Sequence, residues 1–322
     1  MKYAVLGLLL LLDAWVQPPA WAADSMQAMV VTDGNLRTQT VPLPEPRSGQ
    51  VRIRVRAASV NPVDWKLAEQ AAPGSQSIPG RDLAGVIDAV GPQAGMWHKG
   101  EAVIAIATGG AYADYALASV RAVALKPTHI SFEEAAGMPV VGETAWRAMV
   151  IVGNVQAGQR VLIHGGAGGV GSSAVQIAKA RGAYVIATAS PRHNALLRSL
   201  GADEVIDYHS VHAEDALKNL DVVLNTVDAD TTGRSIAMVK PGGVLVSVVG
   251  APPAAQCAVA RIRCAITGPV TGEFLGALSA LADQRQFHVS IEQRLPLSDA
   301  ARAWEMNRHG HTGGKIILEV SH

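Results

Sequence analysis

Val161-Leu162-Ile163-His164-Gly165-Gly166-Ala167-Gly168-Gly169-Val170-Gly171 is the stretch that decides how this chain is read. An apolar strand runs into glycines at 166, 168 and 171, and an amphipathic helix follows over residues 169–180. Three glycines on a G-x-G-x-x-G spacing recur by chance, but between a strand and a helix they form a turn that presents free N–H groups and a helix N-terminus to a pyrophosphate. Side chains at those positions would block both the tight turn and the approach of phosphate to backbone. Gly166, Gly168 and Gly171 are therefore candidate cofactor-binding residues, and the expected cofactor is a dinucleotide.

Working outward, strands and helices alternate from here: 160–164, 169–180, 184–188, 194–200, 204–207, 221–225, 231–238 and 244–249. Strands separated by helices of this length imply βαβ units and a doubly wound parallel sheet. Upstream, residues 26–125 read as short strands broken by Pro and Gly, with strict alternation in Val51-Arg52-Ile53-Arg54-Val55-Arg56 and further strands at 85–90 and 102–106. Ser131 followed by Glu134 marks the start of a helix at 131–136, and a second helix is expected at about 143–152. A helix near 300–307 precedes a strong closing strand, 315–320, expected to rejoin the β-rich part. The expected division is thus 26–145 with 290–322 as one domain and 146–289 as the α/β domain, an α/β class overall. No internal repeat or flexible linker interrupts it.

The composition sets bounds on function. Over 322 residues, 27 Lys and Arg balance 27 Asp and Glu, which leaves no basic stripe for nucleic acid. A 49% hydrophobic chain with 17% charged residues is globular rather than disordered. Only Cys257 and Cys264 occur, which excludes a disulfide scaffold and any zinc site needing several thiolates. On one helix they would stand about 10 Å apart along the axis, too far to bridge; a loop would bring them together, but free buried thiols are the expectation. Met1-Lys2, the apolar run Ala4 to Leu12 and then Ala20-Trp21-Ala22 have the order of a secretory signal peptide at residues 1–22, implying an exported protein, periplasmic or secreted. The alternative is a true start at Met26 or Met29 and a cytoplasmic protein. The run is too short to span a bilayer, and no later stretch reaches the roughly 20 apolar residues required.

The second strand of the α/β region sets the type of dinucleotide. An NAD site usually has Asp or Glu there to hold the ribose 2′-hydroxyl. This chain reads Ala187-Thr188-Ala189-Ser190-Pro191-Arg192-His193, with no acid before Asp203. A hydroxyl and a guanidinium suit a 2′-phosphate, so Ser190 and Arg192 point to NADPH. The plainer alternative is a helix cap and a solvated charge.

Further motifs occur in a telling order: Asn61-Pro62-Val63-Asp64, Pro79-Gly80-Arg81-Asp82-Leu83-Ala84-Gly85-Val86, Gly110-Ala111-Tyr112-Ala113-Asp114-Tyr115, Thr144-Ala145-Trp146, the glycine loop, the segment from Leu200-Gly201-Ala202-Asp203 to Asp207-Tyr208, and Gly313-Gly314-Lys315-Ile316. With them, residues 28–320 resemble the medium-chain dehydrogenase/reductase superfamily in its zinc-independent quinone oxidoreductase branch. The resemblance implies a GroES-like β-rich domain, a Rossmann domain and an active cleft between them. It further implies a homodimer and an enzyme that passes hydride from NADPH to a quinone or an α,β-unsaturated carbonyl. Residue by residue, Gly168, Gly169 and Val170 would meet the pyrophosphate, while Ser190, Arg192 and Tyr208 would surround the 2′-phosphate. Asn225 and Val249 would end strands on the nicotinamide side, and Lys315 counts with the cofactor-binding residues. Asn61, Asp64 and Thr144 would line the nicotinamide and substrate pocket, with Lys66 at its entrance; Asn61, Asp64 and Lys66 are the candidate catalytic residues.

Two positions depart from the family pattern, Asn225 where Asp is common and Gly166 where Ala is common. Zinc-containing relatives carry a cysteine in the segment matching Asn61 to Asp64, and Gly-His-Glu in place of Gly80-Arg81-Asp82; both signatures are missing here, so no metal is expected. Plainer readings stand beside the chemical ones. Asn61 and Asp64 also suit an Asx turn before a helix, and Lys66 a solvated charge. Tyr112 and Tyr115 suit packing, and His164 a hydrogen-bonded core residue. A non-catalytic NADPH-binding sensor or structural protein is the alternative function.

Overall fold

The computed structural model describes residues 25–310 and 313–321; the expected leader at 1–22 lies outside them. The described chain opens with a hairpin, β1 (Ser25–Thr32) and β2 (Asn35–Pro42), turned by Asp33 and Gly34, both at positive φ. In β3 (Gln50–Ser59), Val51, Ile53 and Val55 are buried and alternate with half-buried Arg52, Arg54 and Arg56, so the sequence alternation marks the two faces of the sheet. Then come α1 (Pro62–Glu69), β4 (Gln76–Ser77), β5 (Asp82–Val90), β6 (Ala102–Ile106), β7 (Tyr115–Ser119) and β8 (Val123–Leu125). Helix α2 (Phe132–Ala136) starts with the expected reciprocal cap, Glu134 N donating to Ser131 Oγ at 3.2 Å and Ser131 N to Glu134 Oε2 at 3.0 Å. Helix α3 (Pro139–Trp146) begins four residues before the expected Glu143 and runs on as a π-helical turn, Arg147–Val152. Pro139 starts it because a missing N–H costs nothing in a helix's first turn.

The α/β part follows as β9 (Arg160–His164), α4 (Gly169–Ala180), β10 (Tyr184–Ala189), α5 (Asn194–Ser199), β11 (Glu204–Asp207), α6 (Ala213–Ala216), β12 (Leu220–Asn225), α7 (Ala229–Ser235), β13 (Val239–Ser247), α8 (Ala254–Val259), β14 (Arg263–Ile266) and α9 (Leu275–Asp283). Its six strands are all parallel in the order β11-β10-β9-β12-β13-β14. The order reverses between β9 and β12, which opens a crevice at their carboxyl ends. The chain closes with β15 (Ile291–Pro296), α10 (Ala300–His309) and β16 (Lys315–Glu319). β16 lies antiparallel to β3, Ile317 opposite Ser59, so the last strand returns to the β-rich part as its sequence suggested. That sheet runs β15-β16-β3-β5-β6-β8, with β7 also on β3. This is a GroES-like unit beside a Rossmann sheet. One apolar cluster joins them: Ala84 and Ile104 of the first sheet, Met138 and Ala145 around α3, and Val161 and Ile163 of β9 are all fully buried in it.

The free-thiol expectation is overturned, because Cys257 and Cys264 form a disulfide with their Cα atoms 6.2 Å apart. They do not share a helix. α8 ends at Val259 and the chain reverses at Arg261, whose φ is +56°, laying β14 back against the helix it has just left.

Candidate active site

A cavity of about 800 Å³ opens at the carboxyl ends of β9, β10 and β12, where the strand order reverses. Gly165, Ala167 and Gly168 of the glycine loop form one wall and Thr226, Val227 and Asp228 another. The turn leaves no room for a side chain at its last glycine: a Cβ on Gly171 would stand 2.2 Å from the Gly165 carbonyl oxygen. Gly168 is the residue before α4 and is exposed, so the amino end of a twelve-residue helix faces the cavity with its dipole. Gly166 and Gly169 instead press against protein, their missing Cβ positions 2.9 Å from Ala187 Cβ and 2.8 Å from Val141 Cγ1. Val170 is half-buried in the first turn of α4.

His164, at the end of β9, lies between Ser235 Oγ, 3.1 Å from Nε2, and Thr188 Oγ1, 3.5 Å from Nδ1. Burial pushes its pKa down to about 4, so it is neutral at physiological pH. It is a hydrogen-bonded core residue that also floors the cavity.

Ser190, Arg192, His193 and Tyr208 line the end of the cavity beyond β10. Ser190 precedes a 3₁₀ turn, Pro191–His193, and its Oγ lies 3.2 Å from His193 Nδ1. No carboxylate stands on this turn. Of the acids on the cavity wall, Glu214 pairs with Arg234 at 3.0 Å and Asp228 caps α7 through Thr231 N at 2.7 Å. Asn225 is buried behind the wall, where Nδ2 donates to Asp228 O at 2.6 Å and Oδ1 accepts from Val227 N at 2.9 Å, fixing the turn that presents residues 226–228. Val249 lies outside the lining and is 40% exposed.

Asn61, Asp64 and Lys315 are together, but at 2%, 3% and 5% exposure they sit beneath the cleft rather than in the cavity. Lys315 Nζ donates to Asn61 Oδ1 at 2.6 Å and Val60 O at 2.8 Å; Asn61 Nδ2 donates to Asp82 Oδ2 at 2.8 Å; Asp82 Oδ1 accepts from Val140 N at 2.9 Å. The Asn61 amide thus bridges a buried ammonium and a buried carboxylate, tying β16, the β3–α1 turn, β5 and the start of α3 into one unit. Burial raises the Asp82 pKa, with Lys315 pulling it back, and burial lowers that of Lys315. Asp64 Oδ2 accepts from Asn61 N and from Tyr112 OH, both at 2.9 Å, while Oδ1 has no partner. Burial pushes the Asp64 carboxyl up to about 7. The stem of Lys315 runs under the glycine loop, its Cδ 3.3 Å from where a Gly169 Cβ would be. The network therefore supports the loop from below.

Thr144 Oγ1 donates to Val140 O at 2.7 Å within α3. Lys66 is exposed on α1, its ammonium 5.3 Å from the Trp65 ring centre. Three residues that sequence reading did not assign complete the arrangement: Asp82, Glu143 and His193. Glu143 is fully buried and holds the 271–272 loop, Oε1 accepting from Thr271 N at 2.7 Å and Oε2 from Gly272 N at 2.6 Å. Tyr112 is packed as expected, yet its hydroxyl also joins the network.

The donor set does not suit zinc. Both sulfurs are in the disulfide, so neither is a thiolate ligand. Where zinc relatives have histidine stands Arg81, a cation donating to Val270 O at 3.2 Å. No group of three His, Cys, Asp or Glu side chains among the described residues is placed to hold a metal.

Residues 47–128 match the family profile described as alcohol dehydrogenase GroES-like domain, and residues 200–318 the one described as zinc-binding dehydrogenase. The chain is 33% identical over 302 residues to a human quinone oxidoreductase, covering 86% of this chain and 91% of that protein. It is also 33% identical over 295 residues to an NADPH-dependent alkenal/one oxidoreductase, chloroplastic, of Arabidopsis thaliana, covering 86% and 73%. The solved quinone oxidoreductase of Coxiella burnetii superposes with a TM-score of 0.83 at 32% identity, covering 92% of this chain and all of that one.

Proposed function

Because the chain belongs to the medium-chain dehydrogenase/reductase superfamily, in its quinone oxidoreductase-like branch, we propose that it reduces a quinone or an α,β-unsaturated carbonyl with NADPH and without a metal. It is an oxidoreductase of a nicotinamide-dependent family; the acceptor and the phosphorylated form of the cofactor are the proposal. The observation that carries it is the part of the cavity beyond β10, which Ser190, Arg192 and Tyr208 line and where the turn after β10 has no carboxylate.

The cavity fits a dinucleotide. Gly168, with the first N–H groups of α4 at Gly169 and Val170, is placed to hold the pyrophosphate, and Thr226 and Val227 wall the path toward the reacting ring. The cofactor supplies the hydride when bound. The chain's own part is to bind, orient and keep out water. Asn61, Asp82 and Lys315 hold strands of the β-rich sheet to the start of α3, with the Lys315 stem against the glycine loop, so Asn61, Asp64 and Lys315 are best read as positioning residues. An electron-poor quinone or enone accepts hydride without the Lewis acid that alcohol oxidation uses, which agrees with a donor set unsuited to zinc. The proposal includes a homodimer.

One charged hydrogen bond to the 2′-phosphate is worth about 1.5 to 3 kcal/mol, or about tenfold or more in affinity. NADPH is expected to bind at least that much more tightly than NADH, and Arg192→Ala to weaken NADPH while leaving NADH nearly unchanged. Dissociation constants for both cofactors check it. Equal affinities in the unaltered protein, or an Arg192→Ala change that weakens both alike, would remove the NADPH reading.

Export is proposed as well, supported by the leader-like residues 1–22 and by a disulfide, which forms and persists in oxidising compartments. Protein recovered from its native host should begin near Ala23 and carry the Cys257–Cys264 bond intact by mass spectrometry. A chain beginning at Met26 with both thiols reduced would place it in the cytoplasm instead.

A further inference from the structure

The geometry points to His193 as a specificity-determining residue whose imidazole takes up a proton when the 2′-phosphate arrives, becoming a second cation beside Arg192. This rests on the NADPH reading above and adds to it a pH-dependent preference between the two cofactors.

His193 lines the same end of the cavity as Ser190, Arg192 and Tyr208. Its Nδ1 is held 3.2 Å from Ser190 Oγ, the hydroxyl in line for the phosphate. The other side of the ring meets the β-rich part of the chain: a Cβ on Gly313 would stand 2.8 Å from His193 Nε2 and 3.5 Å from Glu292 Oε2. Glu292 itself accepts from Gly313 N at 3.2 Å. The ring thus lies between a phosphate-facing hydroxyl and a carboxylate on β15. Without a ligand, partial burial and the Arg192 guanidinium hold its pKa below the usual value, against a smaller opposing pull from Glu292, so the ring is neutral near pH 7. Two negative charges arriving beside Ser190 outweigh Arg192, and Glu292 stabilises the imidazolium that forms.

The other charged groups near the ring do not replace this role. Across the cavity, Glu214 and Arg234 neutralise one another at 3.0 Å. Tyr208 and His212 also line the cavity, and His309 ends α10 one residue before the lining residue Gly310. Of these groups it is the His193 ring that lies within hydrogen-bonding distance of Ser190 Oγ.

The test is binding, not turnover. Dissociation constants for NADPH and NADH are measured from about pH 6 to about pH 8 in the unaltered protein and in His193→Asn, with calorimetry in buffers of different ionisation enthalpy to count protons taken up. The unaltered protein should take up a proton with NADPH and none with NADH, and its preference for NADPH should exceed that of His193→Asn by about tenfold at the acid end, the worth of one charged hydrogen bond. The phosphate's own titration near pH 6 affects both proteins alike and cancels in that comparison. A second variant, His193→Lys, should keep the preference high at every pH and abolish the proton uptake. If NADPH is preferred but proton uptake and pH dependence are the same in all three proteins, the role of His193 is overturned while the NADPH reading stands. If NADPH and NADH bind equally at every pH, the NADPH reading itself fails.

Discussion

Asp82→Ala is expected to lower folding stability by about 3 to 5 kcal/mol, the cost of removing one partner from a buried ionic pair. The alanine would strand two donors, the Asn61 amide and the Val140 N–H, and would leave the Lys315 ammonium, which Asn61 links to Asp82, without its compensating charge, where Asn61, Asp82 and Lys315 are each no more than 5% exposed. Denaturant midpoints measure the loss. Pairing the change with Lys315→Met should recover part of it, because the second substitution removes the charge that the first left uncompensated. Two losses that simply add would mean that Asp82 and Lys315 do not act through Asn61.

Asp64 gives the second large effect, through pH. Its folded pKa of about 7 lies above the unfolded value of 3.8 because burial disfavours its charge. The folded state therefore binds the proton more tightly, and this contribution to stability is fully present below about pH 4 and lost as pH rises through about 7. The shift corresponds to a fall of about 4 kcal/mol across that window. Asp64→Asn keeps an oxygen to accept from Asn61 N and Tyr112 OH but cannot ionise, so it should abolish that fall and be the more stable protein at about pH 8. Unfolding curves for the two proteins at several pH values check this. An unchanged pH dependence in Asp64→Asn would show that the carboxyl does not titrate in the folded state.

The parts of the fold legible in the sequence were those set by local rules. A glycine at 171 is demanded by a carbonyl six residues earlier in the same turn, and the cap of α2 is complete within Ser131 to Glu134. The buried network was not legible, because its meaning depends on partners far away in the chain. Asn61 and Asp64 look like a helix start, and they are one, but their burial comes from Tyr112, 48 residues on, and from Lys315, 254 residues beyond Asn61. Asp82 stood in a motif read only for the histidine missing beside it. The disulfide was missed because one residue, Arg261, takes a conformation that side chains rarely favour, and spacing alone does not announce such a reversal. Nothing local marks His193, since what makes it notable is Glu292 arriving from the other sheet.

The most direct test of the central claim is to follow the oxidation of NADPH by the purified protein, after exhaustive chelation, against quinones, enones, aldehydes and alcohols. The account predicts that NADPH is consumed with a quinone or an enone, that NADH is used less well, and that chelation changes neither rate. NADPH bound tightly but oxidised with no acceptor would make this a non-catalytic cofactor-binding protein, and alcohol oxidation restored only by zinc would contradict the account outright.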